Sequence, residues 1–359
     1  MSNRVGRSQT RIVDSVCSYL PSFLSPTVSD FHAEAHHHEV TLRSPRIYVT
    51  VLGITLACAA IGAWGGLSLG PAAFAVLMVA VVVTGIPHGA VDHIVAAQLY
   101  GLSSSLRDQA RFYGFYLAMM AVYGALWFVV PAWCLAAFLV MTMYHFGQAD
   151  LAYWSLPSVT ARVLYLSRGL LLVGLPIAAF PGIVDPIFDA IAGVQVSSWP
   201  YVATQSAWVC AALIVQHIVM LAVLLPQTPE RPDGWWREFV NTAALSALFL
   251  TVHPLVAFAV YFGLWHSLGH ILELVRFFNR TGEPTSLPGF YKKAALYTII
   301  SFAGLGLLYA TTQSFGFEDQ MVALLFILIS VMTLPHMIIV EHLYQQPETS
   351  GTSPREVAA

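Results

Sequence analysis

Polar residues break this chain only at intervals, and from Ile47 almost to its end the apolar runs between them are long. A helix that crosses a bilayer needs about 20 mostly apolar residues. Runs of that kind fall at roughly 47–67, 71–99, 112–130, 132–150, 161–180, 204–225, 238–253, 255–275, 291–311 and 320–343. The second and the last exceed a straight crossing, so they tilt or continue past the hydrocarbon as amphipathic ends. The pattern predicts an all-α polytopic membrane helix bundle of about ten transmembrane helices. A flexible cytosolic leader (1–45) precedes the membrane domain (46–345), and a polar, disordered tail (346–359) follows it.

Composition agrees, since 57% of the residues are hydrophobic and only 10% are charged, a balance unsuited to a water-facing surface. Cationic residues then set the orientation, because Lys and Arg in short loops stay on the cytoplasmic side. With ten spans and a cytoplasmic N-terminus, that side collects Arg4, Arg7, Arg11, Arg43, Arg46, Arg107, Arg111, Arg162, Arg231, Arg237, Arg276, Arg280, Lys292, Lys293 and Arg355. Arg168 alone lies within a span. The opposite loop from Pro181 to Tyr201 has Asp185 and Asp189 but no cation, and the loop near Gly316 has Glu318 and Asp319. Both termini are therefore expected in the cytoplasm, and the expected location is the cell (inner) membrane, crossed many times.

The leader lacks the apolar centre of a signal peptide, and its His36–His37–His38 cluster reads as part of a solvated tail. Cys17, Cys58, Cys134 and Cys210 are isolated and mostly within spans, which suits small packing residues better than disulfides or thiolate ligands. No internal repeat of the inverted-transporter kind stands out. No glycine-rich phosphate loop or basic aromatic surface is present, which argues against nucleotides and nucleic acids as partners.

Histidines are the unusual feature. Polar groups at membrane depth are costly and normally face the bundle interior. Spans two, four, eight and ten run in one direction and carry His88, His93, His145, His266, His270, His336 and His342 in their second halves. In Trp265-His266-Ser267-Leu268-Gly269-His270 the two imidazoles are four apart and project from one helical face, where both can bind one metal ion. Glu273 shares that face and is a candidate to orient a liganding ring, as is Tyr144 beside His145. In Pro87-His88-Gly89-Ala90-Val91-Asp92-His93 the histidines are five apart and diverge by about 140°. His88 is thus a ligand candidate with Asp92 as its orienting partner, while Gly89 lets a bulky group approach. His145 in span four supplies a fourth imidazole, and His336 is placed in the lining of the cavity. His217 and His253 read as hydrogen-bonded packing residues, and His342 with Glu341 as interfacial.

Four imidazoles without a thiolate suit iron, copper, zinc or nickel, and ligand type alone does not choose among them. Open coordination positions would suit dioxygen activation, whereas a structural zinc would be closed by its four ligands. Burial in a bilayer favours a lipid-soluble substrate, and Phe112, Phe115, Tyr116, Tyr123, Trp127 and Phe128 are candidates to line an apolar tunnel.

Taken together, Pro87-His88-Gly89-Ala90-Val91-Asp92-His93, Tyr144-His145-Phe146-Gly147, Trp265-His266-Ser267-x-x-His270 and Leu334-Pro335-His336-Met337 resemble the Brp/Blh family of membrane β-carotene 15,15'-dioxygenases. The resemblance covers about 50–345, in order. It implies a ferrous ion, Fe(2+), held by His88, His145, His266 and His270. It also implies that dioxygen cleaves the central double bond of β-carotene or a related carotenoid into two retinal molecules, with a retinal-binding opsin as a downstream partner. A substrate pocket of Gly89, Trp265, Gly269 and His336 goes with this reading. Gly269 replaces a larger residue expected before the second histidine, and the leader is longer than expected, so cleavage of a different carotenoid stays open. Rival readings are a membrane di-iron desaturase or hydroxylase, whose His-x-x-His-His clusters are missing from these spans, a bis-histidine haem protein, and a divalent-metal transporter.

Overall fold

The computed structural model of the protein describes residues 44–65, 70, 72–152, 158–227, 235–315 and 321–345. The expected leader, with its histidine cluster, and the expected tail lie outside the described residues, as does the segment 316–320. Every regular element among the described residues is helical. In chain order they are α1 (Pro45–Ala63), α2 (Ala72–Tyr100), α3 (Leu106–Val129), α4 (Pro131–Leu151), α5 (Ser158–Ala179) and α6 (Pro181–Ala192), followed by α7 (Pro200–Leu224), α8 (Arg237–Thr251), α9 (Pro254–Arg280), α10 (Leu287–Phe315) and α11 (Met321–Gln345). Proline in the first turn of α1, α4, α6 and α9 supplies a pre-set φ where no amide donor is needed. Gly101 ends α2 in the left-handed conformation, and Ser105 accepts a hydrogen bond from the Asp108 amide to open α3.

Eight of these helices are long and apolar enough to cross a membrane. The two other predicted spans are also helical. α4 carries His145, Gln148 and Asp150 in its last turns, which lowers its hydropathy, and α8 is only 15 residues long. All ten predicted runs are therefore helices, and the chain is an all-α polytopic bundle. Its outward residues are apolar, with Trp64, Phe128, Trp133, Tyr201 and Trp208 among the most exposed, as expected where lipid rather than water is the neighbour.

The predicted loop from Pro181 to Tyr201 is different in the structure. Its first part is helix α6, whose Ile187, Phe188 and Ile191 pack with Cys134, Phe138 and Ala323 of α4 and α11. Two prolines and a glycine in 12 residues hid it from an eye tuned to long runs. Asp185 accepts hydrogen bonds from the amides of Val196 and Ser197 and ties the following turn back to α6.

Polar side chains point inward and meet one another. Tyr48 of α1 donates to Asn241 of α8 at 2.9 Å, and Thr251 of α8 donates to the Ala59 carbonyl at 3.0 Å. Arg168, the cation predicted within a span, is 1% exposed, and its Nε donates to Asp150 at 2.9 Å while Nη1 donates to Thr242. His217 meets Ser167 at 3.0 Å and His253 accepts from the Leu255 amide, so both are packing residues. Cys58, Cys134 and Cys210 are free thiols.

The closest helix crossing is that of α4 with α5. A Cβ on Gly147 would run into the Tyr165 carbonyl, and one on Gly169 into the Met143 carbonyl. Small residues at such crossings let two backbones touch, which lipid alone would not drive. Gly147→Ala is expected to lower stability by about 1–3 kcal/mol or more. Gly53→Ala, which meets nothing within 4 Å, is the reference. Thermal unfolding in detergent compares them, and equal melting temperatures would contradict the crossing.

Candidate metal centre

Two interruptions of regular α-helix shape the site. In α2 the backbone widens to a π-helix over Val81–Gly85 just before His88, and in α9 it does so over Tyr261–Ser267, which contains His266. Such π segments leave helical hydrogen bonds unevenly spaced and re-aim the side chains that follow. The two segments pack on each other. A Cβ on Gly85 would lie 2.6 Å from the Phe262 ring, and one on Gly263 would lie 3.0 Å from Ala80 Cβ, so both glycines are needed for the approach. Sequence reasoning missed these segments, although Gly85 next to Ile86-Pro87 marks an irregular backbone.

Five buried imidazoles from α2, α4, α9 and α11 converge beside this contact. Ring centroids of His88 lie 5.4 Å from His266, 5.6 Å from His270 and 5.0 Å from His336. Those of His145 lie 4.8 Å from His266 and 5.3 Å from His336, and His270 lies 5.6 Å from His336. All of these pairs meet edge to face, so the rings surround a space instead of stacking. The four predicted ligand candidates, His88, His145, His266 and His270, are thus gathered together, and His336 joins them.

Among the described residues, no group of three or more His, Cys, Asp or Glu side chains is placed so that it could hold a metal ion as it stands. The donor set nonetheless fits a metal ion by its chemistry. Nδ1 of His88, His145 and His266 and Nε2 of His336 are buried without a hydrogen-bond partner. A buried polar atom left unsatisfied costs about 1–3 kcal/mol, and four such atoms in one ring cluster need an explanation that packing does not give.

The supporting groups differ from those expected. Asp92 does not orient His88; its two carboxylate oxygens each lie 3.0 Å from Nδ1 of His336, and Oδ2 also accepts from the Tyr116 hydroxyl at 3.0 Å. His88 and Asp92 share one helix face, but the carboxylate reaches across to α11 instead of back along its own helix. Glu273 turns away to Arg276 at 2.6 Å and Arg280 at 2.7 Å, so the cations in the last turns of α9 take it and it orients no imidazole. His270 instead has the Tyr344 hydroxyl 3.4 Å from Nδ1. Tyr144 donates to Glu341 at 3.0 Å, as does Gln148 at 2.6 Å, so Tyr144 fixes α4 to α11 and bonds no ring of the cluster.

On one flank the cluster opens into a cavity with about 740 Å³ of free space, its wall formed by His88, Gly89, His145, His266 and His336 with Phe138, Phe146, Phe258, Phe262, Ile329 and Met332. A second cavity of about 640 Å³ adjoins it, and the two share Gly89, Asp92, Tyr116 and Met332. Phe112, Tyr113, Leu117 and Tyr297 line the second, where His93 lies with its ring 4.5 Å from that of Tyr297. Gly89 and His336 therefore stand where the pocket was predicted. Phe112 and Tyr116 of the expected aromatic lining also face these cavities, while Tyr123 and Trp127 pack against Cys134 and Ala323 and Phe128 is exposed.

Trp265 and Gly269 do not line either cavity. Trp265 points to the opposite flank, where its Nε1 donates to Thr55 of α1 at 2.9 Å, and Gly269 is buried within α9. The opposite flank is polar: Asp150, Arg168, Glu238, Asn241 and Tyr344 border about 470 Å³ of space behind His266 and His270. His342 is held by the Tyr100 hydroxyl, 2.6 Å from Nδ1, and lies apart from the ring cluster.

An apolar-surfaced helix bundle that gathers five imidazoles from four helices beside a largely apolar cavity is a polytopic membrane protein with an intramembrane histidine centre. A sequence model of the family described as beta-carotene 15,15'-dioxygenase matches residues 79–344, and the chain belongs to that family. It is 30% identical over 322 residues to a probable beta-carotene 15,15'-dioxygenase Blh of Halobacterium salinarum, covering 84% of this chain and 92% of the relative. It is 25% identical over 270 residues to a beta-carotene 15,15'-dioxygenase of an uncultured marine bacterium, 66A03, covering 74% of this chain and 92% of that one. No solved structure matches the chain.

The contact between π segments makes a double-variant test possible. Gly85→Ala is expected to destabilise by about 1–3 kcal/mol and to reduce the metal content of the purified protein, and Phe262→Leu in the same chain should restore much of both. Strictly additive losses would contradict a direct Gly85–Phe262 contact.

Proposed function

We propose that this protein cleaves the central 15,15' double bond of β-carotene with dioxygen, giving two retinal molecules, at a ferrous ion held by His88, His145, His266 and His270. The observation that carries the reading is the position of the imidazole cluster in the wall of an apolar cavity that continues, past Gly89 and Met332, into a second one. Family membership supplies the substrate class.

Ferrous iron, when bound, supplies the capacity to activate dioxygen, whose two atoms end as the two aldehyde oxygens. The chain does the rest. Neutral imidazoles from three helices would hold the ion, and the ligands themselves add no charge to the bilayer core. Phe138, Phe146, Phe258 and Phe262 offer apolar and aromatic surface to a polyene. The two adjoining cavities give a long, nearly symmetric molecule room on both sides of its midpoint, so that position along the cavity selects the bond that reacts. Lateral entry from lipid suits such a substrate, and a retinal-binding opsin is the natural consumer of the product. The cell (inner) membrane is the proposed location, with both termini in the cytoplasm, a topology that the distribution of Lys and Arg supports.

A related carotenoid is favoured by one feature: the second cavity places Tyr113, Tyr297, Ser301 and His93 along its lining, and the Tyr113 and Tyr297 hydroxyls lie 2.5 Å apart. These polar groups suit an end ring that bears oxygen better than a bare hydrocarbon ring.

Cells that accumulate β-carotene are expected to lose their orange colour and to form retinal when they make this protein. His88→Ala and His266→Ala should each abolish the change. Intact pigment in cells that hold the iron-loaded protein would remove β-carotene cleavage as its activity. Gly89→Leu should block the passage between the two cavities and raise KM for β-carotene about tenfold or more, the scale of 1.4 kcal/mol. An unchanged KM would mean that the polyene does not pass Gly89.

A further inference from the structure

We infer that His336 is a fifth metal-coordinating imidazole of the centre, presented through Nε2 and oriented by Asp92. The inference rests on the metal centre proposed above and adds a ligand to it.

Three observations lead there independently of the sequence spacing. First, His336 is in ring contact with His88, His145 and His270, so it lies inside the cluster, not at its rim. Second, its Nδ1 faces both oxygens of the Asp92 carboxylate at 3.0 Å. A carboxylate only accepts, so the imidazole proton sits on Nδ1 and Nε2 is left with its lone pair. Third, that Nε2 is buried and has no hydrogen-bond partner. A lone pair fixed in direction, buried and unmatched by any protein donor is what a coordinating nitrogen presents.

The surroundings hold the ring in that pose. Tyr116 donates to Asp92 Oδ2, which anchors the carboxylate to α3 as well as α2. Gly89 lies against the ring, where a Cβ would meet His336 Nδ1 in ordinary contact at 3.7 Å and only a larger side chain would press on it. A metal-bound imidazole whose second nitrogen donates to a carboxylate is a recurrent arrangement, and loss of the carboxylate typically lowers metal affinity 10- to 100-fold. Asp92 is therefore a positioning residue. Held by five imidazoles, the ion would have fewer positions left for dioxygen than with four.

Iron affinity and a spectroscopic probe test this without recourse to turnover. The purified protein in detergent is loaded anaerobically with ferrous iron, its affinity is measured by chelator competition, and the electron paramagnetic resonance of its nitric oxide adduct is recorded. His336→Gly is expected to lose affinity at least about tenfold and to change the adduct spectrum, and millimolar free imidazole should restore both. That rescue requires a folded protein, so collapse of the variant is recognised by its failure. Asp92→Asn should weaken affinity by about 10- to 100-fold. His93→Ala, whose ring lies on Tyr297 outside the cluster, is the reference. Wild-type affinity and spectrum in His336→Gly, beside loss of iron in His266→Ala, would overturn the fifth ligand and leave the four-histidine centre standing. A wild-type protein that binds no iron would overturn both.

Discussion

An imidazole nitrogen deep in a membrane protein has to find its partner inside the protein, because the surrounding hydrocarbon offers none. That requirement organises this structure. Outside the cluster, His217 meets Ser167, His253 the Leu255 amide and His342 the Tyr100 hydroxyl, each through one ring nitrogen. Inside it, one nitrogen of His336 is matched by Asp92 and one of His270 faces Tyr344. Of the five buried imidazole nitrogens left without a partner among the described residues, four belong to the cluster and the fifth, Nε2 of His217, stands alone, and that concentration separates a site from well-packed core.

The cluster also divides the interior into two chemically different halves. Toward α3 and the middle of α11 it meets phenylalanine, isoleucine and methionine. Toward α1, α5 and α8 it meets the buried pair of Arg168 and Asp150, which Tyr261 and Thr242 extend. Ion pairs in such places are costly to desolvate and weak evidence of stability, but they impose a direction on the helices that carry them. Here Asp150 on α4 receives Arg168 from α5 and the Tyr261 hydroxyl from the π segment of α9, so three elements that present or flank ring ligands are held in one register. A polyene can only occupy the other half.

Much of this was legible in the sequence, and the boundary of what was legible is physical. Helix identity followed from apolar run length, since lipid imposes a length and leaves few alternatives. The convergence of His88, His145, His266 and His270 followed from matched depth on helices of the same direction. What run length and depth do not contain is rotation about a helix axis. Asp92 was assigned to His88 because they share a face, yet its side chain reaches sideways to His336. Glu273 shares the face of His266 and His270 but lies close enough to Arg276 and Arg280 to be taken by them. Trp265, next to a ligand candidate, points to a different flank, as neighbours on a helix do when about 100° separates them. The π segments of α2 and α9 compound this, because they shift the phase of every residue that follows.

The match to the family begins at residue 79, inside α2, and leaves α1 out. α1 is nonetheless built into the centre. Its Thr55 takes the indole hydrogen of Trp265, the residue before His266, and its Tyr48 packs edge-on against the same indole while donating to Asn241 of α8. Both Tyr48 and Thr55 are buried, and a buried hydroxyl that accepts an indole hydrogen is a fixed point, not a loose contact. Rotation of α9 about its axis, which would move His266 and His270 away from His88, has to break that bond and open the α1–α8 contact with it. The helix outside the family match therefore acts as the outer brace of the π segment, and the position of the imidazole cluster depends on it.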